Sequence, residues 1–359
     1  MISTGATPDA DLAAMRGMIR GFQLSVMLGK AAELDLADRI AKGPRLVSEL
    51  AAEAGVQEIA LLRLCRALAG FGVFALDSGG RLSHTARSGW LRRDASPTLH
   101  YAARYWTIPG NWSAWGAFGH ALNPGGCPFE AVLGQPYFDY LRDHPGEAAI
   151  LDAFMRHSPD DRHAAVTEVL GLADARLVVD VGGGNGGLLA ALLAANPGLS
   201  GLLYDRSHVV SGASAVLEAA GVATRCRIES GDFFEVVPTG GDVYILCQIL
   251  HDWDDGRAGS ILRRCRAAMA TGARLVVVER ILPELGAEGA AADPADFLID
   301  MHMMTVLTGR ERTESEYVRL LAQAGFEPLE ILATRSPHRV VQARAAPATI
   351  ADQGPPRRV

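Results

Sequence analysis

The stretch "QILHDWDDGRAGS", residues 248–260, ends an apolar run on a histidine, which three acids and a tryptophan follow. Imidazole titrates near neutral pH, so a histidine is the side chain best suited to take a proton from a weakly acidic group there. Alone, His251 also reads, less favourably, as a helix-capping or surface residue. Its setting favours chemistry. The run "DVYILCQIL" before it has the composition of a buried strand, so His251 stands near the carboxyl edge of a sheet, where open α/β folds bind ligands.

A second candidate lies upstream. "LVVDVGGGNGGLLAALL" places glycines at 182, 183, 184, 186 and 187 between a strand-like and a helix-like run. Glycine lets the backbone turn tightly and lets a ligand approach it closely. The helix that follows offers free N–H groups and the positive end of its dipole. The next strand-like run ends at Asp205, an acid placed to accept hydrogen bonds from ribose hydroxyls. Two cofactors suit this loop. Gly182, Gly184 and Gly187 satisfy GxGxxG, the nicotinamide pattern. Asp180, Gly182, Gly184 and Gly186 satisfy DxGxGxG, whose leading acid suits a cationic ligand such as S-adenosylmethionine. Asp232 and Phe233 in "GDFFEVVP" add a carboxylate and a ring that suit an adenine.

The elements that must hold these groups follow from periodicity. After residue 170, the strand-like runs "RLVVDV", "LSGLLYD", "RCRIES", "DVYILCQIL" and "RLVVVERIL" alternate with helical segments. That alternation predicts a parallel sheet covered by helices. "EPLEILATRSPHRVVQARA" predicts two closing strands joined at a Ser-Pro turn. Before residue 170 the pattern is mostly helical, with apolar residues three and four apart in "DLAAMRGMIRGFQLSVMLGKAAELDLADRIA". Residues 44–84 read as helix, turn, helix, hairpin, with Gly79-Gly80 at the tip, which is a winged-helix pattern. Acids and bases are nearly balanced over residues 1–100, and the net charge is −7. Both argue against a nucleic-acid partner. No apolar run reaches the roughly 18–20 residues of a membrane span. The N-terminus lacks a basic region followed by an apolar core, so no secretory signal is expected. The five cysteines form no CxxC pair, which points to reduced thiols, a cytoplasmic protein and no metal site.

Taken together, the motifs "DVGGGNGGLL", "YDRSHVV", "GDFFEVVP", "LHDWDD", "VVVERILP" and "GRERTESEYVRLLAQAGF" resemble the SAM-dependent small-molecule O-methyltransferases. That family includes the plant caffeate and flavonoid enzymes and bacterial enzymes of antibiotic biosynthesis. "GGCPFEAVLGQPYFDYL" and "FMRHS" extend the likeness, which runs from about residue 12 to 344. The resemblance implies an α/β, Rossmann-like SAM-binding sheet with an antiparallel last strand. It also implies a mostly helical, winged-helix-like N-terminal domain for homodimerisation. The expected division is 1–100 for dimerisation, 101–170 as a helical linker contributing to the acceptor pocket and 171–345 for SAM binding and catalysis. A disordered tail, 346–359, would complete it.

By the same resemblance, His251 is the catalytic base, with Glu279 and Glu311 as its supporting carboxylates. S-adenosylmethionine contacts fall on Asp180, Gly182, Gly183, Gly184, Asp205, Asp232, Phe233 and Ser158. Cys247 stands where the plant enzymes commonly carry a lysine, so one cofactor contact is altered. Trp106, Trp115, Phe154, Met155, Asp300, Met303 and Met304 are the candidate acceptor residues. Aromatic and methionine side chains make a flat, adaptable slot, and helix packing explains the same residues about as well. The implied reaction is methyl transfer to a hydroxyl of an aromatic natural product. A nicotinamide oxidoreductase is disfavoured by the lack of a convincing Tyr-x-x-x-Lys pair.

Overall fold

The computed structural model describes residues 8–157, 161–287 and 293–346. The chain divides into two compact units, Met1–Phe118 with Pro128–Pro159 and Gly119–Cys127 with Asp160–Val359. The expected tail from residue 347 onward and the candidate Ser158 lie outside the described residues.

In the first unit the long helical pattern is broken twice. Helices Pro8–Ile19, Gly21–Glu33 and Leu36–Arg39 meet near Arg20 and at Asp35, whose φ of +53° reverses the chain. Strand β1 (Arg45–Leu46) precedes the helices Val47–Ala54 and Glu58–Gly70. The hairpin of β2 (Phe74–Leu76) and β3 (Arg81–His84) follows, giving the antiparallel order β1-β3-β2. Gly55 (φ +66°) ends the first of these helices, as left-handed glycines commonly do. Leu36, Leu50, Cys65, Leu68, Phe74 and Leu82 form the buried core. Leu12, Met15, Ile19, Phe22 and Val26, spaced by threes and fours, are left exposed.

The second unit is built on an eight-stranded sheet. Its strands are β4 (Leu177–Val181), β5 (Ser200–Asp205), β6 (Cys226–Ser230), β7 (Val243–Cys247), β8 (Arg274–Leu282), β9 (Arg312–Thr313), β10 (Phe326–Ala333) and β11 (His338–Ala345). The order is β10-β11-β8-β7-β4-β5-β6, with the short β9 alongside β8. From β6 to β8 all neighbours are parallel, and β11 lies antiparallel to β8. The chain moves outward from β4 to β6 and then crosses back to β7 on the other side. The ends of β4 and β7 therefore flank the reversal of strand order, the usual ligand crevice of such sheets.

Each central strand is apolar on both faces because helices cover both. Val179, Leu202, Tyr244 and Val277 point into one core with Ile261, Leu262 and Cys265. Val178, Leu203, Val243 and Val276 point into the other with Leu189, Leu192 and Leu193. β7 stops at Cys247, three residues short of the end of its apolar run, because Gln248 adopts φ +54°. Among the described residues, no helix is long and apolar enough to cross a membrane.

Leu262 is fully buried between helix Asp255–Ala268 and the sheet. Leu262→Ala should destabilise the second unit by about 2–5 kcal/mol. Denaturant unfolding followed by circular dichroism would measure it. A loss below about 1 kcal/mol would contradict this packing.

Candidate active site

The glycine loop leaves β4 and enters helix Gly187–Ala195. Gly182, Gly184 and Gly186 have φ of +73°, +60° and +81°, a region L side chains avoid. Space is as restrictive as conformation. A Cβ on Gly182 would lie 2.5 Å from Ile249 Cδ1, and one on Gly183 would lie 2.5 Å from Asp180 Oδ2. The Gly184 N–H donates to Asp205 Oδ2 (2.9 Å), and Arg206 N–H donates to Asp205 Oδ1 (2.6 Å). Asp205 keeps lone pairs for further donors. Asp180 is different: it is buried, and neither carboxylate oxygen has a hydrogen-bond partner. Burial first, and then the charge of Asp205, push its pKa up to about 7.

These features fit S-adenosylmethionine. A bare glycine backbone admits close approach, and Asp205 offers acceptors to ribose hydroxyls. An approaching cation offsets the cost of the unpartnered Asp180 carboxylate. Asp232 and Phe233 follow β6 in the same sheet. Asp232 Oδ1 accepts the Phe234 N–H (2.8 Å), and Arg206 lies 3.9 Å from Oδ2. Phe233 packs edge-on to Phe234 and Trp253. Cys247 ends β7 and is half-buried.

On the adjacent strand, Gln248 turns the backbone into a short 3-10 turn, Leu250–Asp252. The N–H groups of Ile249, Leu250 and His251 converge on Glu279 Oε1 at 3.0, 2.8 and 3.4 Å. His251 Nδ1 lies 2.7 Å from Glu311 Oε1 and 3.6 Å from Glu279 Oε2. Its Nε2 has Asp252 Oδ1 at 3.4 Å. A hydrogen bond from Nδ1–H to Glu311 fixes the tautomer whose lone pair is on Nε2. His251, Glu279 and Glu311 are 6%, 0% and 2% exposed, so water hardly competes for these contacts. Burial alone would lower the His251 pKa. The carboxylates of Glu279, Glu311 and Asp252 outweigh it and push the imidazole up to about 10. Burial raises Glu279 to about 7 and Asp252 to about 6.

The segment "GRERT" secures this turn. A Cβ on Gly309 would overlap His251 O, and Arg310 N–H donates to that carbonyl at 2.9 Å. The buried Arg312 donates to the Leu250 and Trp253 carbonyls and to Asp255 Oδ1, at 2.8–2.9 Å. Asp300 Oδ1 accepts the Glu311 N–H (2.9 Å), so this candidate acceptor residue orients a carboxylate of the site. Asp254 caps helix Asp255–Ala268 through the Arg257 N–H, whereas Asp252 faces the imidazole. Trp253 packs against Phe234, and the Arg257 guanidinium lies 4.4 Å from both rings.

The remaining acceptor candidates are placed within their own units. Met303 is buried and Met304 half-buried on helix Pro294–Val306 of the second unit. In the first unit Trp106 meets Phe154 edge-to-face, and Phe154 stacks on Tyr105 at 4.5 Å. Trp115 stacks on Phe118, and Met155 is exposed. Arg312 and Gln248, which hold the turn at His251, carry no sequence signal of that role.

A family model described as an O-methyltransferase domain matches residues 115–327. An O-methyltransferase dimerisation domain matches residues 17–94. The O-demethylpuromycin-O-methyltransferase of Streptomyces alboniger is 38% identical over 88% of this chain and 83% of its own length. The structure of the mitomycin 7-O-methyltransferase MmcR superimposes with a TM-score of 0.88 at 32% identity, covering 94% of this chain and 98% of that one. The O-methyltransferase NcsB1 of neocarzinostatin biosynthesis is 31% identical with a TM-score of 0.79, over 90% of this chain and 96% of that one. It was crystallised with S-adenosylmethionine and 2-hydroxy-5-methyl naphthoic acid.

The state of Asp180 makes a stability prediction for the ligand-free protein. Its folded pKa, about 7, exceeds its ordinary value of 3.8, so the folded state holds this proton more tightly. The associated stability is present below the ordinary value and is lost as pH rises through about 7. Asp180→Asn should therefore gain stability relative to wild type between pH 5 and pH 8. Each kcal/mol of that gain would move Tm by about 2–4 °C. A Tm difference that does not change with pH would show Asp180 to be ionised normally.

Proposed function

The chain belongs to the family of SAM-dependent O-methyltransferases, and from that premise we propose that it methylates a phenolic hydroxyl of an aromatic natural product, with His251 Nε2 taking the proton. The observation that carries this reading is the imidazole itself. Glu311 holds it at Nδ1, the three-amide turn on Glu279 holds its backbone, and Nε2 is directed away from both. The antibiotic-pathway relatives, and the hydroxynaphthoic acid bound to one of them, support an aromatic acceptor.

When bound, S-adenosylmethionine supplies an electrophilic methyl group on a cationic sulfur. Everything else falls to the chain. The glycine loop, Asp180 and Asp205 would hold the cofactor, with Asp232, Phe233 and Cys247 beside them. A free phenol has a pKa of about 10, so little phenolate exists at neutral pH. His251 Nε2 accepts the hydroxyl proton as the oxygen attacks, which is typically worth about 10²- to 10⁴-fold. Glu311 and Glu279 stabilise the imidazolium that results. The same carboxylates favour a charged imidazole in the ligand-free protein. A positive charge brought beside it opposes that protonation and readies the base.

Met303, Met304 and Asp300 on helix Pro294–Val306 are proposed to contact the acceptor. We assign residues 1–100 to homodimerisation, 101–170 to the acceptor side and 171–345 to catalysis. The exposed stripe Leu12, Met15, Ile19, Phe22 and Val26 supports the first assignment, since such stripes are normally covered by a partner helix. None of the five cysteines forms a disulfide, in keeping with a cytoplasmic setting.

The test combines an acceptor screen with one substitution. Phenolic acceptors are incubated with labelled S-adenosylmethionine and methylated products are read by mass spectrometry. His251→Ala should lower turnover about ten-fold or more near pH 7.5, with the cofactor dissociation constant unchanged by calorimetry. The wild-type advantage should shrink as pH nears the acceptor's own pKa, where the phenol ionises unaided. Unchanged turnover at saturating acceptor would remove His251 from the chemistry.

A further inference from the structure

We infer that Gln248 is a positioning residue for His251, acting through a chain of hydrogen bonds that runs from Arg162 through its side-chain amide to His338. Gln248 has φ +54°, and only three described residues other than glycine have positive φ. Glycine would adopt that conformation without strain. Glutamine at this position is explained by what its side chain holds.

Donor and acceptor roles along the chain are fixed by chemistry. A guanidinium only donates, so Arg162 Nη1 donates to Gln248 Oε1. That sets the amide orientation and turns its NH₂ toward His338 Nε2, 3.0 Å away. An amide NH₂ only donates, so His338 must present a lone pair at Nε2 and stay neutral. Its surroundings agree: His338 is fully buried, and burial, then Arg162 and Arg280, push its pKa down to about 2.

Both ends of the chain belong to one frame. Arg162 opens helix Arg162–Val169, and His338 opens β11. Arg335, in the turn before β11, bonds Asp161 (2.5 Å) and Glu168 (2.9 Å) at the two ends of that helix. Gln248 N–H donates to Val278 O (2.9 Å), the last rung between β7 and β8. The left-handed turn then aims the next three N–H groups at Glu279 Oε1. Clamping the Gln248 amide thus fixes where the His251 ring meets Glu311.

This inference rests on His251 as the proton acceptor, and its test is independent of turnover. Histidine-¹⁵N-labelled, full-length, ligand-free protein is titrated by NMR, with the His251 ring signals assigned by their loss in His251→Ala. Glu279, Glu311, Asp252, His302 and His338 are titratable groups that act on that ring. Gln248→Gly relieves the backbone and removes the clamp. The His251 midpoint should fall by about one unit, a ten-fold loss of proton affinity. Gln248→Met keeps a side chain of similar length without either hydrogen bond or a new charge, and should lower the midpoint in the same direction. If Gln248 only tolerated a strained turn, Gln248→Gly would leave the midpoint in place, and that result overturns the inference. A midpoint shift with normal turnover in His251→Ala would instead preserve the clamp and remove the base.

Discussion

One carboxylate oxygen organises the end of the sheet where β7 and β8 stop. Glu279 points from β8 beneath the turn that follows β7, and its Oε1 receives three successive backbone N–H groups. An uncompensated carboxylate at that depth would be very unfavourable, and three buried amides without acceptors would be too. Each makes the other tolerable, so the turn has little freedom to relax. The two glutamates therefore do different work: Glu279 shapes the peptide chain, and Glu311, 2.7 Å from Nδ1, orients the ring.

Further charge is assembled around this pair. Arg312 is 1% exposed and ties the Leu250 and Trp253 carbonyls to Asp255. A buried ionic group is stable only when its hydrogen-bonding capacity is nearly filled, and here the missing partners are backbone atoms of the catalytic turn. Gly309 completes the assembly because only hydrogen fits against His251 O. The neighbouring strand end carries the glycine loop, where Asp180 remains without hydrogen-bond partners. One edge of the sheet thus holds a charge cluster whose members are partly compensated by one another beside a carboxylate with no partner on either oxygen, and the second is where a cationic ligand has most to contribute.

Much of this was legible in the sequence, for a physical reason. The glycine loop, the alternating strands and the winged-helix pattern are local: turn chemistry and periodicity specify them within a dozen residues. His251, Glu279 and Glu311 became visible through motifs lying at strand ends, and the structure brings the three side chains together. What could not be read depends on contacts across the chain. Gln248 carries no motif; its backbone angle is set by Arg162 and His338, 86 and 90 residues away. Asp252 and Asp254 are equivalent in pattern, yet one meets the imidazole and the other caps the helix. Likewise, the first helical run reads as continuous in its spacing, while its breaks at Arg20 and Asp35 show only in backbone angles.

The link between Asp300 and the Glu311 N–H has an evolutionary consequence. Helix Pro294–Val306 meets the Glu311 backbone through this hydrogen bond, while Met303 and Met304 lie one turn later. One helix thus carries a residue tied to the Glu311 backbone beside residues that are not. Asp300 is held with the strand ends by that bond, whereas Met303 is held by packing and the half-buried Met304 by neither. Substitutions along that helix can therefore accumulate at some positions while the hydrogen bond to the Glu311 N–H is kept.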